Sequence, residues 1–340
     1  MSNDVTGLDM DGSQPCILLD IGGTHIRFGM TGKVKGGVSH TEKYPVASYD
    51  SLLEALDYYV ARFDVPLEHI KIATAAWPYE EGVWRFAHEG RWDISIPELH
   101  KEGWTVLSVE NDFVASAKGT CFIDADHMVP IRGTIQAYPD CGRFIVIGPG
   151  TGLGIAVMDY DHPQETGVPA IRQTFGGHMN APMRTAEQRE IAGLIHDMMY
   201  KTAGENSVPL IAEHIVSGPG LDNVFKACCV QEGHNPAPLF DLDYILATRE
   251  SPLTQKALRL FHEFLGLTLH QAMMFNHSFD GVYLDGGVTQ HLMDHKLFMA
   301  ESVIENMGQN HVGVVQSALD AVPLVAIKDP YIALRGLQIK

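Results

Sequence analysis

Two glycine-rich turns, each set between apolar runs, carry the residues best suited to chemistry: ILLDIGGTHIRFG at residues 17–29 and FIVIGPGTGLGIAV at 144–157. Each reads as a strand, a turn and a second strand. Glycines let backbone N–H groups converge on an anion that Cβ atoms would otherwise hold off. Gly22, Gly23 and Thr24 make one such cradle; Gly148, Gly150, Thr151 and Gly152 make another, and both threonines add hydroxyl donors. Asp20, at its strand's end, is placed to hold a hydrated Mg²⁺ against the phosphates of a nucleotide. A third turn, Asp285-Gly286-Gly287, follows another apolar run and lets a flat nucleotide ring lie close to the backbone. Taken singly, each turn is equally well explained as a tight hairpin. Two cradles, one in each half of the chain, point instead to a nucleotide clamped between two related domains. Neither turn is a P-loop, which needs Gly-Lys-Ser/Thr, and neither is the dinucleotide fingerprint, which runs on into a helix.

Proton chemistry has its candidate in VENDF, where Asn111 and Asp112 stand at the point a strand gives way to a helix. Such a junction can face a cleft, but aspartate there is also an ordinary helix N-cap. Strand alternation turns Glu110 the other way. His291 and His295 have the i, i+4 spacing of a helical metal pair, yet neither the glutamate of H-E-x-x-H nor a third ligand accompanies them.

The elements that must position these residues alternate between strand and helix patterns, which predicts an α/β architecture. CILLDIG is a buried strand, followed by antiparallel continuations. DSLLEALDYYVARF is a helix with Asp50 as its expected N-cap, KIATAAW a strand closed by Pro78, and TVLSVEN a strand that leads straight into the helix DFVASAKG. Further on, TAEQREIAGLIHDMMYKTAG carries a capping box at Thr185 and Gln188 and a C-cap at Gly204. QKALRLFHEFLGLTLHQAMMFNHS is a long helix feeding the strand GVYLDGG. The last strand, VPLVAI, and helix, YIALRGLQ, are too short to stand alone and are expected to pack back on an earlier domain. The expected division is a smaller domain of residues 16–122 with about 325–340, a larger one of 123–324, and a loose tail at 1–15.

Bulk properties exclude several classes of partner. A chain of 340 residues is long for one core, and 45% hydrophobic content is that of a soluble globular protein. With 24 Lys+Arg against 42 Asp+Glu the net charge is −18, which disfavours nucleic acid and anionic membranes. An anionic ligand then needs local help from backbone N–H groups and a metal. No apolar run reaches membrane-span length, and the acidic N-terminus lacks a secretory pattern. Five cysteines without paired spacing predict no disulfide framework and a reducing cytoplasm.

In order and approximate spacing, LLDIGGTHIRFG, VENDFVAS, IGPGTGLGIAV, GGHMNAP, EHIVSGPGL and GVYLDGGV resemble the bacterial-type glucokinases, within the sugar kinase, heat-shock ATPase and actin superfamily. The resemblance runs from about residue 16 to the last residues. It implies two ribonuclease-H-like (actin-like ATPase) domains, ATP in the cleft between them, and sugar at the hinge. It further implies ATP- and Mg²⁺-dependent phosphorylation of a hexose, with glucose the first expectation, and a homodimer. By the same resemblance Asp112 is the general base, Asn111 a ligand to a sugar hydroxyl, and His178 and Glu213 occupy sugar-contacting positions.

Two sugar-facing places depart from the family pattern. Phe175 precedes Gly176-Gly177-His178 where the family typically has glutamate, and HEGRW, with Glu89, stands where it usually has Thr-Asn-His-x-Trp. A buried hydroxyl left unpaired costs roughly 1–3 kcal/mol, and phenylalanine cannot pair one. Phe175 stacked on an apolar sugar face, with Glu89 supplying a carboxylate from the opposite wall, is the expected compensation. The departures leave two alternatives: a kinase for another hexose or an amino sugar, and a sugar-binding regulator of the same fold without turnover.

Overall fold

The computed structural model describes residues 16–339 except 33, 35, 64–66, 87–91, 137–138, 140, 162–167, 202–207, 236–239 and 310–311. Two compact units divide the chain: residues through 124 with 162–173 and 329–340, and residues 125–161 with 174–328.

The first unit is built on β1 (Ile17–Ile21), which pairs antiparallel with β2 (His25–Thr31) and parallel with β4 (His69–Thr74). Outside β2 lies β3 (Val38–Pro45), followed in the chain by α1 (Leu52–Val60). A small antiparallel ribbon of β5 (Trp77–Glu80), β6 (Val83–Arg85) and β7 (Ile94–Ser95) leads to α2 (Ile96–Lys101). β8 (Thr105–Asn111) then lies parallel to β4, and α3 (Asp112–Gly119) begins where it stops. The short strand β12 (Ala170–Gln173) and the helix α11 (Ile332–Gly336) complete the unit.

β1 is apolar without alternation because both its faces are covered. Ile17, Leu19 and Ile21 join Phe28, Leu56, Tyr59 and Ile70 on one side, while Leu18 joins Ala73, Ala115, Leu334 and Leu337 on the other. Asp20 falls by alternation on the Leu18 face. The N-cap of α1 is Ser51, not Asp50: its hydroxyl accepts from Glu54 N at 3.1 Å, and the Glu54 carboxylate accepts from Asp50 N at 2.6 Å. Only Ser51 has a glutamate three residues beyond it, and that carboxylate reaches back past the cap to Asp50 N.

In the second unit β10 (Arg143–Pro149) pairs antiparallel with β11 (Leu153–Asp159) and parallel with β13 (Gly281–Leu284). β13 runs parallel to β14 (Leu324–Ile327), and β9 (Met128–Arg132) closes on β14 antiparallel. Each unit thus repeats one scheme, a glycine-turn hairpin whose first strand has a parallel neighbour. The helices are α4 (Ala186–His196), α5 (Gly218–Gln231), α6 (Leu242–Thr248), α7 (Pro252–Asn276), α8 (Gly287–Asp294), α9 (Ala300–Met307) and α10 (Gly313–Ala321). Thr185 and Gln188 form the expected capping box on α4, whereas Gly204 lies outside the described residues. β14 is a member of this sheet and does not return to the first unit. Its four residues are all buried, as suits a strand flanked on both edges. Only α11 returns, through Leu334 and Leu337.

Candidate active site

Parallel register in the first unit sets Ile21, Thr74 and Asn111 side by side at the ends of β1, β4 and β8. One residue back, Asp20, Ala73 and Glu110 form a row. Gly22 N donates to His25 O at 3.0 Å and closes the first cradle, leaving Thr24 exposed at its tip. Asp20 is only 7% exposed, and a buried carboxylate needs a partner. Arg27, its cross-strand neighbour, supplies one: Nη1 donates to Asp20 Oδ2 at 2.8 Å. Lys43 stands opposite Arg27 on β3; burial and the Arg27 charge lower its pKa, and Asp20 acts in the other direction.

The Asp20 carboxylate therefore commits one oxygen to Arg27. Among the described residues no group of three His, Cys, Asp or Glu could hold a metal directly. A single carboxylate beside a glycine turn suits a hydrated Mg²⁺ reached through water, since this ion gives up its waters reluctantly.

At the β8–α3 junction the capping role belongs to Asn111. Its Oδ1 accepts from Phe113 N at 3.0 Å and Val114 N at 3.2 Å, which turns the Nδ2 amide outward as a donor. Asp112, the first helical residue, is half-buried, and its Oδ1 accepts from Phe113 N at 2.9 Å. Glu110 is turned to α3, where Oε2 accepts from Lys118 Nζ at 2.6 Å.

The second unit assembles its own set around the β10–β11 turn. Gly150 N donates to Gly152 O, and Gly218 N, at the start of α5, donates to Gly150 O, both at 2.8 Å. Glu213 Oε2 accepts from Leu153 N at 2.8 Å, and a Cβ on Gly152 would stand 2.5 Å from that oxygen. Glycine at 152 is thus what admits the Glu213 carboxylate. Gly177 lies against Leu153 O, so the turn carrying Phe175 and His178 packs on the same hairpin. The Phe175 and His178 rings are 6.0 Å apart, and Phe175 is 59% exposed. His214, next to Glu213, has its pKa lowered by burial, with Glu213 opposing.

The third glycine turn joins this group. Gly286 has φ +94, and a Cβ there would meet Pro149 O at 2.5 Å, so the turn rests directly on the end of β10. Gly150 and Gly287 differ: a Cβ at Gly150 finds its nearest atom at 4.0 Å, and one at Gly287 finds nothing within 4 Å. Among the described residues no atom requires glycine at either place. Space of that kind, beside backbone N–H groups, fits a ligand that approaches the backbone closely.

The glucokinase family model matches residues 17–340. The chain belongs to the glucokinase family. Among curated relatives, the glucokinase of Stenotrophomonas maltophilia (strain R551-3) is 27% identical over 347 aligned positions, covering 95% of this chain and 94% of that one. The glucokinase of Nitrobacter hamburgensis is 29% identical, covering 94% and 95%. Of solved structures, the glucokinase from an Antarctic psychrotroph aligns with a TM-score of 0.73 at 22% identity over 95% of this chain and 97% of that one. A ROK family glucokinase from Streptomyces griseus, solved with glucose and AMPPNP, aligns with a TM-score of 0.61 at 18% identity, covering 95% and 98%. The shared fold is a pair of actin-like ATPase domains, and the family's activity is ATP-dependent hexose phosphorylation.

Glucokinase motifs thus fall into two groups: Asp20, Gly22, Gly23, Thr24, Asn111 and Asp112 in one unit, and Gly148, Gly150, Thr151, Gly152, Phe175, His178, Glu213, Gly286 and Gly287 in the other. Glu89 lies outside the described residues. Arg27 and the Ser217-Gly218 start of α5 escaped the sequence reading. Both had a signal: Arg27 is opposite Asp20 once the hairpin register is counted, and Ser217 precedes Gly218-Pro219, a usual way to begin a helix. No described helix is long and apolar enough to cross a membrane.

Proposed function

We propose that the chain transfers the γ-phosphoryl group of ATP to the 6-hydroxyl of glucose, with Asp112 as general base. The observation that supports this reading is the β8–α3 junction: Asn111 caps α3 through Oδ1, and Asp112, the half-buried first residue of the helix, stands directly beside it. In this reading the Asp112 carboxylate accepts the hydroxyl proton as the oxygen attacks phosphorus. Asn111 Nδ2 donates to a neighbouring sugar hydroxyl. Glu213, held by Leu153 N through one oxygen, accepts from another hydroxyl through its second, and His178 lies along the same hairpin. The turns at 22–24 and 148–152 bind phosphates through backbone N–H groups, and Gly286 and Gly287 let the nucleotide lie against β10 and β13. Mg²⁺, held through water by Asp20, supplies charge neutralisation of the phosphates. Five free cysteines, with Cys141 exposed, support a reducing cytoplasm as its location. The homodimer rests on the family resemblance.

Phe175 supports a second reading. It brings an apolar face, and no acceptor, to a sugar-facing position, which favours a hexose or amino sugar other than glucose. The deciding assay is coupled ADP release with Mg-ATP across glucose, mannose, fructose, glucosamine and N-acetylglucosamine, with Asp112→Ala alongside. Glucose leading, and a drop of about 10²-fold or more in Asp112→Ala, is the expected result. Another sugar leading transfers the function to that sugar. Folded, ATP-binding protein with no turnover would leave the sugar-binding regulator.

A further inference from the structure

Behind the β8–α3 junction the first unit carries a partly buried ion pair that phosphoryl transfer does not itself require. Glu110 and Lys118 bracket Asn111 and Asp112, one at the end of β8 and the other two turns along α3, with both side chains only 17% exposed. Burial raises the Glu110 pKa, and Lys118 and then Lys71 draw it back. Lys118 Nζ also reaches Ile339 O at 3.5 Å, and Lys71 Nζ donates to Leu337 O at 2.9 Å. The chain after α11 therefore lies on the same two lysines.

Contact between α3 and α11 is at backbone level. A Cβ on Gly336 would stand 1.8 Å from Ala115 O, in the first turn of α3, and one on Gly119 would stand 2.1 Å from Ile332 O. α11 is itself anchored beside that contact, since Arg335, next to Gly336, pairs with the buried Asp329 and donates to Gly36 O at 3.0 Å. α3 is thus tied to β8 by the Glu110–Lys118 pair in its last turn and to α11 by glycine contacts in its first and last turns.

We propose that Lys118, with Glu110 and the α11 contact, is a positioning residue for the Asp112 carboxylate, setting the angle at which α3 leaves β8. The proposal rests on the reading of Asp112 as the base. Dispersed burial alone could stabilise this junction; an ion pair that brackets it fixes the direction of the first turn.

The test compares steady-state kinetics of the full chain with Lys118→Met, Lys118→Arg, the double variant Glu110→Gln/Lys118→Met, and Asp112→Ala. Lys118→Met leaves a buried carboxylate unpaired and risks the fold; the double variant removes both charges and keeps the measurement possible. Per folded molecule, Lys118→Met and the double variant are expected to lower kcat about tenfold with the KM for ATP within twofold. Lys118→Arg restores most of the loss. A merely structural pair would shift melting and leave kcat per folded molecule intact. The proposal is overturned if the folded double variant keeps wild-type kcat while Asp112→Ala is inactive. Wild-type kcat in Asp112→Ala is a separate outcome: it removes the base reading, and the positioning proposal with it.

Discussion

Glycines at 286 and 287 are adjacent in sequence and opposite in physical meaning, which makes them a sharp test of the nucleotide cradle. Gly286 has φ +94, and its Cβ would press on the Pro149 carbonyl at 2.5 Å, a backbone atom in a buried strand. Alanine there meets strained backbone of about 1–3 kcal/mol and a contact that only a main-chain shift relieves, so a loss of about 2–4 kcal/mol is expected. Gly287 begins α8 and has nothing within 4 Å of a built Cβ. Alanine there stabilises the helix by up to about 1 kcal/mol. If the turn lies against a nucleotide, however, the new methyl enters the ligand's space, and losing about 1.4 kcal/mol of binding means a tenfold rise in the KM for ATP. Thermal melts and ATP titrations at saturating sugar distinguish the two. Gly286→Ala is expected to melt several degrees lower; Gly287→Ala is expected to melt at or above wild type with ATP KM raised about tenfold and sugar KM unchanged. A Gly287→Ala protein with wild-type ATP KM would refute the placement of nucleotide on this turn.

The proposed sugar contacts give a matching pair. Glu213→Gln keeps an oxygen for Leu153 N, so melting should hold while sugar KM rises about tenfold through loss of a charged acceptor. Phe175→Glu, at an exposed ring, should lower glucose KM by about tenfold if a glucose hydroxyl is left unpaired by phenylalanine; no change in any sugar's KM places Phe175 outside the site. His262 offers a pH test of the core. It is fully buried on α7, burial lowers its pKa to about 4, and its Nε2 has no partner among the described residues. The unfolded chain takes up this proton near pH 6.5 while the folded one resists it, so the stabilising share is intact above 6.5 and is lost as pH falls towards 4. Its size is up to about 3 kcal/mol, and the urea midpoints of His262→Leu should fall less between pH 7 and 5 than those of wild type. Equal slopes would count against it.

Much of this was readable from local sequence, and what was not has a common cause. The glycine turns, the capping box of α4 and the strand-to-helix run at 105–119 each depend on a few consecutive residues. The position of β14 depends on which strands it pairs with, β13 and β9, and short apolar runs say nothing about partners. The cap of α1 was misplaced by one residue because Asp50 and Ser51 are both good caps, and only the reach of Glu54 separates them. At 111–112 the sequence offers two residues for one cap, and the choice of Asn111 is made by side-chain direction.

The carboxylate that ends a buried strand now has a physical account. Asp20 shares its face of β1 with Leu18, Ala73 and the α3–α11 contact, a place where an unpaired charge costs several kcal/mol. Arg27 makes it tolerable, and the hairpin that brings Arg27 opposite Asp20 is the same one that carries the glycine turn at 22–24. Pairing uses one oxygen of the two, Oδ2. A glycine-turn hairpin chosen for tightness alone has no need of either residue. Its second copy supports this: the β10–β11 turn places Gly148 where a strand-end charge would fall in the first unit and takes its carboxylate from Glu213 instead, received by the absence of a side chain at Gly152. Each turn therefore has a carboxylate held beside it by a donor of its own hairpin, Arg27 Nη1 in one unit and Leu153 N in the other. Such matched departures from ordinary strand chemistry, one in each unit, are expected where a protein handles anions and hydroxyls, and not where it merely turns a chain.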